Sequence, residues 1–597
     1  MRDLRAFLDV LRRENELVEI DTDCDPHLEI AEIHRRVIAG GGPALLFKRP
    51  RGADFPLVTN LFGTKKRVDL AFGQRANAFI KRAAGLPHEL VPPSIGKLWG
   101  LRDFAWEAMS VGMKTVGHGP VTEVSAAPNL TRLPLLHCWQ RDGGSFVTLP
   151  LVYTEHPETG VHNLGMYRIQ RYSDSETGIH WQVGKGGGFH YSVAEKKGQV
   201  LPLNLFVGGP PALIAGAIAP LPENVPELLL TSLLVGEPVR RVATDAGPLP
   251  VVADAEFAFV GEVAPGVRRP EGPFGDHYGY YSLQHDYPVF TARRVFHRKD
   301  AIFPATVVGK PRQEDFFLGD WLQELLSPLF PVVMPAVRDL WSYGETGYHS
   351  LSAAVVWERY GREAMASAFR VLGEGQLSLT KFLLVLDRPV DLRDFKLVLE
   401  TVLARFRPEK DLYVFSNLSM DTLDYCGPAV NEGSKGIMLG VGEPVRDLPR
   451  QFQGDLPFGC RDAVVYCGGC LVLSAPAYAN DPGAATRIAA HPSLRDWPMV
   501  VLADDAHRTC ATDARLLWTT FTRMEPAADI HGARRIHRNH VVFEGPLVFD
   551  ARMKPTYPEE LFCDPDTAAL VSRRWAEYFP GGGVEMGDSD TGHLDKT

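Results

Sequence analysis

No part of the chain is long and apolar enough to predict a membrane-spanning helix. The longest weakly polar run, residues 206–222, is broken repeatedly by glycine and proline, whereas a transmembrane helix needs about 20 consecutive apolar residues. The N-terminus has no apolar signal core either, because it opens on a pattern (Leu4, Phe7, Leu8 and Leu11) that predicts an amphipathic helix. We therefore expect a cytoplasmic protein without a transmembrane segment.

The chain also lacks a surplus of positive charge and a cysteine framework. Lys and Arg total 63 against 73 Asp and Glu, and the formal net charge is −10, so nucleic acid is not an expected partner. Eight cysteines in 597 residues do not make a disulfide scaffold. Cys467 and Cys470 have the spacing of a zinc or redox pair, but no fourth ligand is obvious and an apolar run precedes them, which favours buried free thiols.

Motifs of three common enzyme classes are missing as well: a Walker A loop, a His-Glu-x-x-His pair and a Gly-x-Ser-x-Gly elbow. Their absence excludes the commonest nucleotide hydrolase, zinc protease and serine esterase interpretations. What is present, 45% hydrophobic and 23% charged residues, is typical of a globular protein, and the length predicts about three or four domains.

The two halves of the chain have different patterns. Residues 43–310 are dense in glycine and proline, with short β-branched and aromatic runs that predict a mainly β region. The C-terminal half contains a repeat: Asp387 is followed 18, 21 and 24 residues later by Arg, Pro and Asp, and so is Asp505. This spacing predicts a duplicated strand–helix unit, near 381–411 and 499–529, with an architectural role. The polar end, residues 587–597, is predicted to be disordered.

The most informative segment is Pro270–His277, which holds Glu271 and Asp276 five residues apart. Two prolines and two glycines preset a turn there, so both carboxylates project from a shaped loop. Paired acids held in this way suit proton transfer, in which one stays charged while the pKa of the other approaches the working pH. The alternative is an ordinary loop with two solvated acids.

Candidate partners for these acids lie upstream. Asn163 is followed five residues later by Arg168, and arginine can clamp a carboxylate bidentately. The glycine-rich run 184–188 could approach a phosphate or a flat ring closely. Glu227 opens a predicted helix, and Asn and Glu oxygens suit a divalent cation such as Mg²⁺ or Mn²⁺. The alternative is that Glu227 only complements the helix N-terminus.

Together the segments 163–168, 222–227 and 270–277 resemble the UbiD family of reversible, non-oxidative decarboxylases, which use prenylated FMN. The resemblance begins at Met1 and extends at least to residue 436. It implies an α/β multidomain fold: an N-terminal α/β domain (1–115), a central split β-barrel that binds the flavin (116–315) and an extended C-terminal α/β domain for oligomerisation (316–597).

The resemblance also implies roles for individual residues. Arg168, Glu271 and Asp276 correspond to the catalytic network, in which Asp276 protonates the substrate carbon after CO₂ leaves. Arg168 would hold Glu271 ionised, while crowding would raise the pKa of Asp276 enough for it to donate. Asn163 and Glu227 correspond to ligands of a Mn²⁺ that ties the cofactor phosphate to the protein. The implied cofactor contacts are Met166, Tyr167, Arg168, His180, Trp181, Gln182, Lys185, Gly186 and Lys435.

One position departs from the family pattern. Many relatives carry a histidine, a metal ligand in some of them, where this chain has Gly184. Either the metal is held more weakly here, or His180 or His190 takes the place of that ligand.

The expected substrate is an aromatic, heteroaromatic or α,β-unsaturated acid, with CO₂ as the second partner; His277 and Tyr278 are similar to hydroxybenzoate-type members. K⁺ is a further cofactor that the resemblance allows. A flavin prenyltransferase would supply the cofactor, and a homodimer or homohexamer is expected. Two alternatives remain: a non-catalytic or assembly subunit of a multisubunit aryl carboxylase, and a plain flavin oxidoreductase.

Overall fold

The structure is a computed structural model that describes residues 1–90, 102–181, 186–221, 225–310 and 312–588. It contains two compact units: one comprises Met1–Leu325 and the segment that starts at Glu560, and the other comprises Leu326–Glu559. Gln182, Gly184 and Lys185 lie outside the described residues, as do residues 589–597 of the tail. At the start of this tail the Gly587 N–H donates to the Arg36 carbonyl at 3.1 Å, and the predicted disorder of the tail stays a prediction.

Within the described ranges, nine α-helices begin before Leu325, where the first part of the first unit ends. The opening helix begins where the Asp3 carboxylate accepts from the Ala6 N–H at 2.8 Å, and it buries the four apolar residues that the sequence placed on one face. The helices are α1 (Leu4–Arg13), α2 (Glu29–Ala39), α3 (Lys65–Phe72), α4 (Arg75–Leu90), α5 (Arg102–Met109), α6 (Gly186–Lys196), α7 (Pro211–Ile218), α8 (Glu227–Val235) and α9 (Glu314–Leu326).

The strands of this unit form a four-stranded, a nine-stranded and a three-stranded sheet. They are β1 (Leu17–Ile20), β2 (Ala44–Phe47), β3 (Leu57–Thr59), β4 (Met113–Val116), β5 (Val124–Ala126), β6 (Phe146–Val147), β7 (Leu151–Glu155), β8 (His162–Gly165), β9 (Ile169–Arg171), β10 (Glu176–Ile179), β11 (Leu201–Val207), β12 (Val239–Val242), β13 (Val251–Val252), β14 (Phe257–Glu271), β15 (His285–His297) and β16 (Phe303–Pro304).

The nine-stranded sheet positions the candidate site. Its order is β6-β9-β10-β15-β14-β11-β7-β8, with β5 paired to β15. The long strands β14 and β15 pair antiparallel as far as Glu271 and His285, and short helices interrupt this mainly β region. Within the described residues the strand path is open, so the split barrel stays a prediction.

The second unit contains two five-stranded sheets of the same design. Their orders are β17-β18-β19-β21-β20 and β22-β23-β24-β26-β25, and the directions of neighbouring strands also match. The duplication predicted from two strand–helix units therefore extends to two whole subdomains. The strands are β17 (Val337–Ser342), β18 (Leu351–Val356), β19 (Phe382–Leu386), β20 (Leu412–Ser419), β21 (Glu432–Gly440), β22 (Ala463–Cys467), β23 (Cys470–Ser474), β24 (Met499–Ala503), β25 (Ile530–His537) and β26 (His540–Asp550).

Short helices cover these two sheets. They are α10 (Phe330–Val333), α11 (Glu363–Leu372), α12 (Phe395–Leu403), α13 (Pro408–Asp411), α14 (Ala484–Ala489), α15 (Ala506–Thr509), α16 (Asp513–Thr522) and α17 (Pro526–Asp529). Cys467 and Cys470 carry buried free thiols, as the apolar pattern indicated. The two residues are opposite each other in the antiparallel pairing of β22 with β23.

The end of the chain folds back on the first unit. Its helix α18 (Pro565–Tyr578) lies against α2, where the Tyr578 hydroxyl donates to Glu29 at 2.5 Å. The sequence assigned this segment to the C-terminal domain, and the difference arises because its apolar face completes the core of the first unit. No helix in the described ranges is long and apolar enough to cross a membrane.

Candidate active site

The predicted acid loop is buried at the end of β14. Glu271 is the last residue of that strand and is fully buried, and Asp276 is 7% exposed. Gly272, between them, has a φ of +90°, a backbone conformation that glycine adopts without a steric penalty. The interpretation as an ordinary solvated loop is therefore wrong.

Arg168 binds both acids of this loop. Its Nε and Nη2 donate to the two oxygens of Glu271 at 2.8 and 2.9 Å, and its Nη1 donates to Asp276 Oδ2. Nη2 also donates to the Ser282 hydroxyl at 2.9 Å. The guanidinium lies over the Phe274 ring, 5.0 Å from its centre. One permanently charged group therefore fixes the positions of two carboxylates.

Both acids are ionised near neutral pH. Burial by itself would raise the pKa of Glu271, but the charge of Arg168 and a hydrogen bond from His180 lower it to about 2. Burial is likewise outweighed at Asp276, where His277 and Arg168 hold the pKa well below its ordinary value. The expectation that crowding raises the pKa of Asp276 is wrong, because a cation and an imidazole contact this carboxylate directly.

His180 belongs to this acid network. Its Nδ1 lies 3.0 Å from Glu271 Oε2, and its Nε2 lies 3.4 Å from the Tyr287 hydroxyl. Burial lowers its pKa, and the charge of Arg168 adds to that effect against the opposing influence of Glu271. A neutral ring facing a carboxylate carries its hydrogen on Nδ1. Both ring nitrogens therefore face residues of the acid network, and a role of His180 as metal ligand stays a prediction.

His277 is the second contact of Asp276. Its backbone N–H donates to Asp276 Oδ1 at 2.7 Å, and its ring Nδ1 lies 2.7 Å from the same oxygen. Its side chain is 28% exposed, whereas that of Asp276 is 10% exposed. His277 therefore connects a buried carboxylate to solvent.

Three residues that the sequence analysis missed hold the acid loop in place. Asp142 accepts from the Gly275 N–H at 2.8 Å, and the Gln170 amide oxygen accepts from the Gly272 N–H at 2.7 Å. Ser282 accepts from the Phe274 N–H at 3.1 Å. The only sequence signal was Asp142 before a Gly-Gly pair, a pattern typical of turns.

Asp142 is itself an unusual carboxyl group. Its other oxygen accepts from the Cys138 and Trp139 N–H groups, both at 2.9 Å. Burial raises its pKa to about 7, although these backbone donors and the charge of Arg168 oppose the rise. Asp142 therefore joins the turn at Cys138 and Trp139 to the backbone next to Asp276.

The predicted metal ligands Asn163 and Glu227 lie next to each other in the same unit, and we call this pair the metal corner. Asn163 is on β8, Glu227 is the first residue of α8, and the Leu164 N–H donates to Glu227 Oε2 at 3.0 Å. Burial raises the pKa of Glu227 against that hydrogen bond. In the amide orientation that satisfies its hydrogen bonds, the Asn163 NH₂ group donates to Glu227 Oε1 at 3.3 Å and the Asn163 oxygen accepts from the Gly187 N–H at 3.2 Å. The two side chains are therefore neighbours, and an amide oxygen and a carboxylate are ligand types that suit a divalent cation.

The backbone beside this corner passes close to its side chains. At Gly186, with a φ of +41°, a Cβ would lie 2.3 Å from Asn163 Oδ1 and 2.8 Å from the Tyr167 hydroxyl. Trp181 is buried, and its Nε1 has no hydrogen-bond partner among the described residues. A buried donor without a partner fits a bound ligand at this place. Met166 is half-buried between Gly165 and Tyr167.

The remaining predicted residues lie elsewhere. His190 contacts the Thr154 hydroxyl at 2.9 Å through Nδ1, and burial lowers its pKa to about 4. Lys435 is in β21 of the second unit, where Nζ donates to the Thr380 carbonyl at 2.8 Å. Burial lowers the pKa of Lys435 to about 8 against the opposing charges of Asp424 and Asp421. Within the described ranges, no group of three His, Cys, Asp or Glu residues could hold a metal ion.

Three family models match successive parts of the chain. They describe the N-terminal domain (8–86), the Rift-related domain (114–311) and the C-terminal domain (316–440) of UbiD, 3-octaprenyl-4-hydroxybenzoate carboxy-lyase. A curated relative in Chlamydia pneumoniae, described as one subunit of a 4-hydroxybenzoate decarboxylase, is 50% identical over 97% of this chain and 98% of its own length.

Solved structures share the fold over most of the chain. Vanillic acid decarboxylase of Sedimentibacter hydroxybenzoicus is 26% identical, with a TM-score of 0.67, and the match covers 77% of this chain and 96% of that one. The UbiD-class enzyme HmfF of Pelotomaculum thermopropionicum, in complex with FMN, is 22% identical, with a TM-score of 0.61 and coverage of 76% and 98%.

Proposed function

The chain belongs to the UbiD family of carboxy-lyases, and we propose that it is a reversible, non-oxidative decarboxylase of an aromatic, heteroaromatic or α,β-unsaturated carboxylic acid that uses prenylated FMN. The observation that carries the proposal is the double contact of Arg168 with Glu271 and Asp276. An inactive scaffold has no need for three buried charges, because burying them costs solvation free energy.

We assign proton delivery to Asp276 together with His277. When CO₂ departs, the substrate carbon keeps the electron pair of the broken bond and takes up one proton. Since Asp276 is a carboxylate at rest, that proton must first reach it. His277 is the route that the contacts favour, because its Nδ1 touches Asp276 Oδ1 and its ring reaches solvent. Glu271 stays ionised and keeps Arg168 in position.

The metal corner fits the phosphate end of a flavin mononucleotide. Asn163 and Glu227 would hold a divalent cation such as Mn²⁺, and Gly186 lets the backbone pass close to Asn163 and Tyr167. When bound, prenylated FMN supplies an electron sink for the departure of CO₂. Tyr167 and Trp181 would orient it, and the unpartnered Trp181 Nε1 offers one donor.

The decisive experiment is co-expression with a flavin prenyltransferase, followed by an absorbance spectrum, an intact cofactor mass and a CO₂ assay. 4-Hydroxybenzoate is the first substrate to test, because it appears in the description of the Chlamydia pneumoniae relative; other aryl and unsaturated acids follow. We expect a modified flavin and CO₂ release. A protein that binds only unmodified flavin, or none, and releases no CO₂ from any acid would refute the proposal.

A second candidate function is that of one subunit in a multisubunit decarboxylase. The observation in its favour is that the same relative is described as a single subunit of its enzyme. Activity of the purified, cofactor-loaded chain without other proteins would exclude a non-catalytic role. If the loaded chain is inactive alone but active after adding an extract of the source cells, the subunit interpretation replaces the first.

A further inference from the structure

The second copy in the C-terminal unit has no role in the proposed function. We define the first copy as residues 337–440 and the second copy as residues 463–550. Each has its own outer core, and a third core lies between them and takes residues from both. The matched C-terminal family domain ends with the first copy, at residue 440.

The contacts between the two copies are reciprocal. Helix α12 of the first copy packs against β22 of the second, and α16 of the second packs against the turn 344–346 between β17 and β18 of the first. In the same way α13 packs on β26, and α17 packs on β21. Each of these helices therefore packs on the opposite copy, and the equivalent helix of that copy packs back on the first.

The repeated prolines mark this reciprocity at the residue level. Pro526 of the second copy lies close to Gly436 in β21, and Pro408 of the first copy lies close to Gly545 in β26. A Cβ built on these glycines would be 3.4 and 3.6 Å from the two prolines. Asp411 and Asp529, which follow these prolines at the same spacing, each accept from the backbone N–H four residues earlier, at 3.0 and 2.8 Å. The proline of each repeat thus lies against the other copy, and the aspartate that follows it fixes the local turn.

The surfaces that meet are apolar, with polar contacts around them. The Phe382 ring lies 5.9 Å from that of Phe521 and 6.0 Å from that of Phe549 across the copies. Lys396 of α12 pairs with Asp513 of α16 at 3.2 Å. This composition, an apolar centre with charged pairs outside it, is typical of a permanent interface between subunits.

Reciprocal contact of equivalent surfaces is the defining property of a twofold symmetric dimer interface. We infer that the second copy takes the place of a second chain: the partner that fits the inner face of the first copy is another copy of the same subdomain, and this chain supplies it covalently. The inner face is consequently closed to self-association with another molecule.

The second copy lacks the lysine and the two loop aspartates of the first. Phe382 pairs with Gly436 and Val500 pairs with Val548, so Leu547 stands where the first copy has Lys435. The connection between β20 and β21 carries Asp421 and Asp424, whereas only residues 538–539 join β25 to β26. The second copy therefore contributes packing, and no second lysine site.

A zero-length carbodiimide tests whether the paired copies belong to one chain. It condenses an amine with a carboxylate, and the half-exposed Lys396 and Asp513 side chains are in range. We expect the cross-linked peptide in the band of a single chain on a denaturing gel, and we expect Lys396→Gln to lose it. Recovery of that peptide only from a band of twice the mass would overturn the inference, because the copies would then pair between chains.

Hydrogen exchange on the unmodified protein gives an independent measurement. A face closed within one chain keeps its protection on dilution, whereas an interface between chains opens as the complex dissociates. We expect the exchange rate of each peptide, from β21 and from β26, to change by less than about twofold over a hundredfold dilution. A rate that rises with dilution in both strands would contradict the inference.

Discussion

Replacing Asp276 with asparagine tests the proposed proton delivery most directly. The amide is nearly the same size, and its oxygen can still accept from Arg168 Nη1. Its NH₂ group would then face the His277 backbone N–H, which now donates to Oδ1 at 2.7 Å. The side chain keeps its place but loses one hydrogen bond and its transferable proton.

The expected loss can be estimated from general acid catalysis. A positioned acid contributes roughly 10²–10⁴ in rate, which corresponds to about 3–5 kcal/mol of transition-state free energy. We expect a loss of kcat in this range. Cofactor content should stay near that of the wild type, because Asp276 is not among the proposed phosphate or metal contacts.

The assay is CO₂ release by cofactor-loaded protein, measured with bound flavin and the temperature of unfolding. Asp286→Asn is the matched control, since Asp286 is an exposed aspartate on the neighbouring strand β15. We expect the control to change neither quantity. A kcat of Asp276→Asn within about tenfold of the wild type would refute the proton-donor role.

Three further outcomes are expected. Asn163→Ala and Glu227→Ala should each lose bound metal and flavin together, because the phosphate loses its bridging cation; stoichiometric Mn²⁺ in both variants, by elemental analysis, would show that the ligands are wrong. Asp142→Asn should lower kcat about tenfold with flavin content unchanged, because the amide keeps one acceptor oxygen and can no longer bind both Gly275 and the N–H groups of Cys138 and Trp139; an unchanged kcat and pH profile would remove its positioning role. Glu271 has a folded-state pKa of about 2 against an ordinary 4.5, so its stabilisation is present above about pH 4.5 and is lost as the pH falls towards 2. Urea unfolding at about pH 5 and pH 3 should therefore show a smaller loss of stability for Glu271→Gln than for the wild type, and equal losses would contradict the assignment.

Local patterns predicted those features that depend on neighbours in the sequence. The spacing of Leu4, Phe7, Leu8 and Leu11 predicted the first helix and its buried face. The turn residues around Glu271 predicted a shaped loop, because proline and glycine restrict the backbone wherever they stand. Equal spacing in the two copies predicted a duplication.

Charge states could not be predicted in this way. The pKa of Asp276 depends on His277 and Arg168 contacting its two oxygens, and no spacing in the sequence shows which oxygen faces which partner. Asp142 was missed for the same reason: it acts on Gly275, which is distant in the sequence and close only in the fold.

By itself the sequence determined the candidate acids, the arginine that could bind them, the family resemblance and the existence of a repeat. Each of these depends on residue type and spacing along the chain. Only the tertiary structure decided that Arg168 contacts both acids, that the acids are ionised, that His180 faces Glu271 and that the repeated prolines pack on the opposite copy. Those facts depend on distances between residues far apart in the chain, and such distances exist only after the core has packed.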